Sequence, residues 1–278
     1  MSEQALASGK AVQRRLSDLI PPPGTAGPDV FLADRDAAEA AVAGGTDPVL
    51  YCAWRDVLPP RASTPLPQNR GAGRNPAGAG PDGLAWLTDL VVYQDGTLPG
   101  GEPFRSTGHW NPDGQLEVFQ VLSGRVLIVA AGTSATGLPY VQYQECAAGD
   151  VAVVPLAAWH LTYALDGPAM VFNIYTSQGS GGARAAAGAS KYRSGQRPVP
   201  VAAIRKGSSF AFTWGTTELA ALGEPVAASC PEWLRSFLPQ GASLADWCVR
   251  APAGELRELA EAARAAAGSG WPAEAKGE

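Results

Sequence analysis

Two histidines constrain the fold of this chain, because they are the only two among its 278 residues and they enclose one patterned stretch. His109 and His160 stand at the two ends of that stretch. Between them lie three short apolar runs, at 116–122, 126–130 and 151–154. Glycines separate these runs, a spacing typical of short antiparallel strands joined by tight turns. The sequence therefore predicts a mainly β fold centred on this stretch.

Three residues of the stretch are candidate metal ligands. Side chains at alternate positions of a strand face the same side of its sheet, so a small barrel directs every second residue to its interior. His109 opens the stretch, Glu117 begins the next predicted strand, and His160 follows a later strand that ends at Pro155. Imidazole and carboxylate groups brought to one end of a barrel can bind a divalent transition metal. We therefore predict that His109, Glu117 and His160 bind one ion.

The spacing of these residues resembles the two sequence motifs of the cupin superfamily. The matching positions are His109, Asn111, Glu117 and Gly124 for the first motif, and Gly149, Pro155 and His160 for the second. Within the superfamily, the chain is most similar to the cupin-type glucose-6-phosphate isomerases of archaea and some bacteria. That closer likeness lies in 100–104, in 117–124 and in Pro155 followed by Trp159 and His160. The resemblance implies a cupin barrel, a jelly roll also called a double-stranded β-helix, over residues 84–176.

The resemblance also implies roles for individual residues. The implied metal ligands are His109, Asn111, Glu117 and His160, with Asn111 at the position of the family's second metal-binding histidine. The implied substrate contacts are Ser106, Thr107, Gly108 and Phe119, with Glu102 as a further carboxylate on the substrate side. Glu117 is in addition the predicted catalytic residue. We expect Fe²⁺ as the ion, with Mn²⁺, Zn²⁺ or Ni²⁺ as alternatives.

Three departures from the isomerase pattern affect the substrate more than the fold. Asn111 replaces an imidazole with an amide, which is a poorer ligand for transition metals. Phe119 lacks the hydroxyl of the tyrosine that the isomerases typically carry, and 177–180 replaces their His-Asp-Tyr segment. We therefore predict a less polar cavity than in the sugar isomerases and a substrate other than glucose-6-phosphate, whose phosphate needs several donors.

Two reaction classes and one non-catalytic role fit the predicted site. In the first class, the ion polarises the carbonyl of a small sugar-like substrate and Glu117 moves a proton, giving isomerisation or epimerisation. In the second, two histidines and one carboxylate form the facial triad of non-haem iron oxygenases. The third possibility is a cupin that binds a small molecule without catalysis. We expect the first, in a biosynthetic pathway.

Composition excludes some partners. A net charge of −5 and the lack of a Lys/Arg cluster argue against a nucleic-acid surface. Apolar runs are too short to span a membrane, and the first 20 residues lack the apolar region of a secretory signal. The four cysteines, without a C-x-x-C unit, are expected to be reduced thiols in a cytoplasmic protein.

The regions outside the barrel are predicted to be a loop-rich extension over 1–83 and a linker with helices over 177–278. A short helix is expected over 3–19. A strand at 49–54 is expected to cross to a neighbouring subunit in a homodimer. A C-terminal helix over 252–267 has its apolar residues on one face and is expected to pack on the outside of the barrel.

Overall fold

The computed structural model describes residues 11–20, 30–62, 84–134, 136–178, 197–222, 225–269 and 271. The strands are β1 (Ala11–Arg15), β2 (Val49–Arg55), β3 (Arg61–Ala62), β4 (Leu84–Tyr93), β5 (His109–Trp110), β6 (Glu117–Ser123), β7 (Arg125–Thr133), β8 (Pro139–Ala147), β9 (Val151–Val154), β10 (Trp159–Ala164), β11 (Ala169–Gln178), β12 (Val201–Lys206), β13 (Ser209–Trp214) and β14 (Val226–Ala227). The helices are α1 (Arg35–Ala43), α2 (Thr217–Ala220), α3 (Glu232–Arg235), α4 (Leu244–Arg250) and α5 (Ala253–Gly268). None of the described helices combines the length and the hydropathy that crossing a lipid bilayer requires.

Strands β4 to β11 form a jelly-roll barrel. They are divided between two antiparallel sheets, in the order β4-β11-β6-β9 in the first sheet and β8-β7-β10-β5 in the second. This order is that of eight strands wound as two Greek keys, the architecture shared by jelly rolls and cupins. The predicted mainly β fold with a cupin-type barrel is confirmed. Strands β1 and β2 extend the first sheet beyond β4, and β14 pairs with β8 at the edge of the second sheet.

The interior of the barrel is filled by alternate residues of its strands. In β6, Phe119 and Val121 belong to the inner cluster, whereas Val118 belongs to the cluster on the outside of the sheet. This two-residue period is what a strand buried on both faces requires. Gly124 allows the tight turn into β7, because its φ is +74° and a Cβ there would lie 2.6 Å from the carbonyl oxygen of Pro168.

Both outer faces of the barrel are covered by the C-terminal part of the chain. Leu256 and Leu259 of α5 are fully buried in one cluster with Phe172 of β11. The predicted helix over 252–267, packed on the barrel through these residues, is confirmed; full burial of each leucine side chain contributes about 1.5–3 kcal/mol. The hairpin β12–β13 covers the second sheet, where Val201 packs in one cluster with Trp159 of β10.

The N-terminal segment differs from the prediction. In place of a helix over 3–19, β1 pairs antiparallel with β2, and a single 3₁₀ turn over Leu16–Leu19 follows. Pairing with the edge of β2 satisfies the backbone of β1, and such tertiary context overrides a weak helical pattern. Residues 3–10 lie outside the described part. Strand β2 occupies the predicted position and pairs with β4 of its own chain. Its exchange with a neighbouring subunit stays a prediction.

A buried ion pair joins three parts of the chain. Nη1 of Arg105 lies 3.1 Å from Oε1 of Glu102, and both side chains are only 1% exposed. Oε2 of Glu102 accepts a hydrogen bond from the backbone N–H of Ala33, and the hydroxyl of Tyr163 accepts one from the N–H of Ala203 and donates to Oε1 of Glu102. Burial raises the pKa of Tyr163, which keeps this hydroxyl protonated. Glu102 is therefore a structural carboxylate, and its predicted place beside the substrate is wrong.

All four cysteines are free thiols, as predicted. Burial raises the pKa of Cys146 to about 12 and that of Cys248 to about 11. Since the thiolate is the nucleophile, we expect both to resist iodoacetamide at pH 7.5 in the folded protein and to react only in denaturant. Peptide mass spectrometry measures the labelled fraction of each cysteine, and the half-buried Cys52 serves as the internal reference. Native labelling of Cys146 or Cys248 as fast as that of Cys52 would contradict this burial.

Candidate metal centre

The three candidate ligands come from both sheets of the barrel. His109 of β5 and His160 of β10 are direct partners in the second sheet. Glu117 is the first residue of β6 in the first sheet, opposite Val154 of β9. Its carboxylate is fully buried, while the side chains of His109 and His160 are 18% and 4% exposed. The ligands thus meet inside the barrel, with His109 on the more open side.

Gly108 brings the first ligand close to β10. Its φ is +73°, a conformation that side chains rarely adopt. A Cβ at this position would lie 2.8 Å from Cζ2 of Trp159, which is fully buried behind the strand. Glycine is therefore required here for the His109 strand to approach its partner.

The ligand atoms lie at distances that suit a single ion. Nε2 of His160 is 3.5 Å and Nε2 of His109 is 3.9 Å from Oε2 of Glu117, and one ligand atom from each residue lies within 4.8 Å of the others. Two ligand atoms that are each about 2.1 Å from an ion lie about 3.0–3.5 Å apart at octahedral to tetrahedral angles. A small inward movement would complete the coordination. Two imidazoles and one carboxylate are a donor set for divalent transition metals.

Asn173 of β11 positions the carboxylate of Glu117. Its Nδ2 donates a 2.5 Å hydrogen bond to Oε1 of Glu117, and both residues are buried. Oε2 is thereby turned toward the two imidazoles. Asn173 is not among the residues predicted from the sequence, although an amide inside the otherwise apolar run 170–174 is a signal that a polar partner faces it.

Replacing Asn173 with Leu keeps the volume and removes the donor. Because hydrogen bonds to ligating carboxylates typically contribute 10–100-fold to metal affinity, we expect the dissociation constant for Mn²⁺ to rise by about 10–100-fold. Thr162→Val is the matched control, since Thr162 lines the same cavity and is equally buried. Electron paramagnetic resonance of free Mn²⁺ measures both proteins. Equal affinities for the two variants would contradict the positioning role.

Asn111 lies next to the ligands in sequence, but its amide is held by a neighbour. The residue is fully buried, and its Oδ1 accepts a 3.0 Å hydrogen bond from Nε2 of Gln115. Its backbone N–H donates to the carbonyl of Ala158 in the turn before β10. The oxygen that would serve as a ligand thus has a protein donor, and metal binding by Asn111 stays a prediction.

Replacing Asn111 with His restores the family's ligand set. We expect the affinity for Zn²⁺ or Ni²⁺ to increase by at least about tenfold, because imidazole binds these ions more strongly than an amide does. Competition with a chromogenic chelator measures the change. An Asn111→His protein that is folded and binds no more tightly would show that position 111 does not face the ion.

The ligands line a small cavity inside the barrel. Its volume is about 50 Å³, and its wall consists of Tyr51, Ala53, Arg55, Val91, Tyr93, Ser106, Thr107, Gly108, His109, Glu117, Phe119, His160, Thr162 and Asn173. All four predicted substrate contacts belong to this wall. The ring of Phe119 lies edge-on to His160, with centroids 5.6 Å apart, and the hydroxyl of Ser106 accepts a hydrogen bond from the N–H of Thr162. The wall is partly polar and partly apolar, and β2 and β4 contribute groups to it that the barrel motifs do not include.

A row of polar residues crosses the first sheet beside the cavity. Arg55 of β2 stands opposite Asp89 of β4, and Asp89 stands opposite Asn173 of β11. The guanidinium of Arg55 forms an ion pair with Asp89, whose side chain is fully buried. Asn173 in turn donates to Glu117. Side chains of neighbouring strands thus form a polar row between the metal centre and Arg55.

Neither a protein-family model nor a curated protein matches this chain. Solved structures are similar over part of it. The oxalate decarboxylase of Lactobacillus farciminis, in a formate complex, is 20% identical with a TM-score of 0.26, over 32% of this chain and 23% of that one. KdgF from Halomonas sp. is 16% identical with a TM-score of 0.25, over 34% and 78%. The Bacillus subtilis oxalate decarboxylase, studied for its Mn(II) centres, is 23% identical with a TM-score of 0.25, over 32% and 21%. The matches span less than a quarter of either oxalate decarboxylase chain.

Proposed function

We propose that this protein is a metal-dependent enzyme that moves a proton on a small carbonyl-containing substrate. The observation that carries the proposal is the convergence of His109, Glu117 and His160 on a small cavity inside the barrel. A bound divalent ion supplies Lewis acidity, which polarises a carbonyl and acidifies the neighbouring carbon. Resemblance of the motifs to the cupin-type isomerases agrees with this chemistry.

Glu117 is the residue that we assign to proton transfer. Asn173 donates to its Oε1, so Oε2 faces the imidazoles and the cavity, and of its two lone pairs one is left for a proton when the other binds the ion. A buried carboxylate held in one orientation can accept a proton from a substrate carbon and return it to the adjacent one. Ser106, Thr107 and Gly108 form the wall beside His109 and are proposed to orient the substrate.

The size of the cavity limits the substrate. At about 50 Å³ it is well below the roughly 300–1,000 Å³ of sites that enclose drug-sized ligands. A hexose phosphate would extend well beyond such a volume, so we propose a smaller molecule than the substrate of the isomerases that the motifs resemble. The homodimer and the cytoplasmic location that we expect from the sequence remain proposals; light scattering at micromolar concentration tests the dimer.

A second candidate function is oxidation by a non-haem iron centre. Two imidazoles and one carboxylate, with the amide oxygen of Asn111 held by Gln115, match the three-residue set of such oxygenases. Fe²⁺ is the ion that this candidate requires. Bound metal alone does not separate the two functions, whereas their use of oxygen does.

The experiment is an anaerobic exchange assay in D₂O. Protein loaded with Fe²⁺ or Mn²⁺ is incubated with small aldehydes, ketones and 2-hydroxy ketones, and loss of the C–H signal next to the carbonyl is followed by proton NMR. We expect exchange that disappears when the ion is chelated. Oxygen consumption without exchange, in a parallel aerobic assay, would favour the oxidation candidate. A protein that holds the ion and shows neither result would contradict both.

A further inference from the structure

Among the described residues, Arg55 is the one arginine in the wall of the cavity. In β2 the alternate residues Tyr51, Ala53 and Arg55 face the cavity, whereas Trp54 packs in the cluster outside the sheet. The motifs of the barrel begin well after this strand, so nothing in them assigns a role to Arg55. Its position follows from the pairing of β2 with β4.

Buried groups hold the guanidinium of Arg55 in one place. It forms an ion pair with Asp89, the residue directly opposite in β4, whose side chain is fully buried. Oδ1 of Asp89 also accepts hydrogen bonds from the backbone N–H of Asp56 at 3.3 Å and the hydroxyl of Tyr175 at 3.4 Å. The side chain of Arg55 nevertheless keeps 31% of its surface exposed. A guanidinium that lines the cavity and is fixed by a buried carboxylate is arranged to bind an anion.

The charges around the cavity also favour an anion. Arg55 and Glu117 are the charged residues among the described ones that line it, and Asp89 lies behind Arg55. With a divalent ion held by neutral imidazoles, these groups together leave a net positive charge inside the barrel. In such a partly buried site, an anionic ligand balances that charge, whereas a neutral ligand does not.

We propose that the substrate carries a carboxylate that binds Arg55, next to the carbonyl or hydroxyl group that faces the metal ligands. This inference rests on the proposed function and specifies its substrate class as small 2-oxo or 2-hydroxy acids. Carboxylate and guanidinium form two parallel hydrogen bonds, which fix orientation as well as affinity. The cavity of about 50 Å³ restricts the acid to a few atoms.

The test compares pyruvate with pyruvamide, a neutral molecule of the same shape, by isothermal titration calorimetry on the Mn²⁺-loaded and the metal-free full-length protein. We expect pyruvate to bind at least about tenfold more tightly than pyruvamide, since hydrogen bonds between charged groups are about twice as strong as neutral ones. Replacing Arg55 alone would leave Asp89 buried without its cation, so the main variant is Arg55→Gln/Asp89→Asn. Arg55→Lys keeps a cation next to Asp89 and tests whether the two parallel hydrogen bonds of a guanidinium are needed. Arg257→Gln, on an exposed face of α5, is the control with one positive charge less.

The preference for pyruvate is expected to disappear in Arg55→Gln/Asp89→Asn, to weaken in Arg55→Lys and to persist in Arg257→Gln. Equal binding of pyruvate and pyruvamide, or a preference that survives in the double variant, would overturn the inference. Mn²⁺ affinity, measured in parallel, separates this inference from the proposed function. If the protein binds pyruvate through Arg55 but binds no metal, the role of Arg55 stands and the proposed function is wrong. If it binds metal but shows no preference for pyruvate, the role of Arg55 is wrong and the proposed function stands.

Discussion

The Glu117→Gln protein is expected to bind Mn²⁺ at least about 100-fold more weakly than the unaltered chain, because the substitution removes the only negatively charged ligand of the proposed set. Groups that merely orient a ligand contribute 10–100-fold, so the ligand itself should contribute more. Gln keeps the volume of the side chain and can still pair with Asn173, so the barrel should fold normally. In the D₂O assay, exchange should fall by at least about two orders of magnitude even at saturating metal.

The control for this prediction is Glu258→Gln, which makes the same chemical change on an exposed position of α5. It should leave both metal affinity and exchange unchanged. If Glu117→Gln binds Mn²⁺ as the unaltered chain does, Glu117 is not a ligand. If metal saturates the variant and exchange is also unchanged, proton transfer by Glu117 is wrong, and the oxidation candidate or a purely binding role becomes the better account.

The Arg105→Met protein should lose about 3–5 kcal/mol of unfolding free energy, the largest stability effect that we expect. Removal of Arg105 leaves the carboxylate of Glu102 buried at 1% exposure without its counter-charge. An isolated buried charge is much less stable than a buried pair, whereas replacing the whole pair by neutral groups is far less costly. Urea denaturation followed by circular dichroism measures the free energy of unfolding.

The double variant Glu102→Gln/Arg105→Met provides the matched comparison. The amide oxygen introduced by Glu102→Gln can still accept the hydrogen bond from the N–H of Ala33, and no charge of the pair remains buried. We expect the double variant to regain about half or more of the lost stability. If the double variant loses as much unfolding free energy as Glu102→Gln and Arg105→Met lose together as single variants, Glu102 and Arg105 are not coupled.

The barrel and its three ligands were accessible from the sequence because their signals are local. Glycines such as Gly124 mark turns whose backbone other residues rarely adopt, and they separate strands of clear two-residue period. With only two histidines in the chain, His109 and His160 left few alternatives for the imidazole ligands. The α5 helix was predictable for the same reason, since Leu256 and Leu259 repeat at helical spacing over a long segment.

The groups that surround the ligands depend on pairing between distant segments. Arg55 reaches the cavity only because β2 pairs with β4, and Asp89 lies behind it through the register of that pair. Glu102 has the sequence context of a substrate-side carboxylate, yet Arg105 and Tyr163 hold it inside the protein. No local pattern specifies these registers. A one-residue shift in either strand would turn the same side chains to the opposite face.

Elemental analysis of protein purified without oxygen and without chelators tests whether His109, Glu117 and His160 bind one divalent ion. After reconstitution with Fe²⁺, Mn²⁺, Zn²⁺ or Ni²⁺ and gel filtration, we expect about one ion per chain for the unaltered protein with at least one of these metals. His160→Ala should retain almost none. An unaltered protein that retains none of the four metals, or a His160→Ala protein that retains as much as the unaltered chain, would contradict the metal centre.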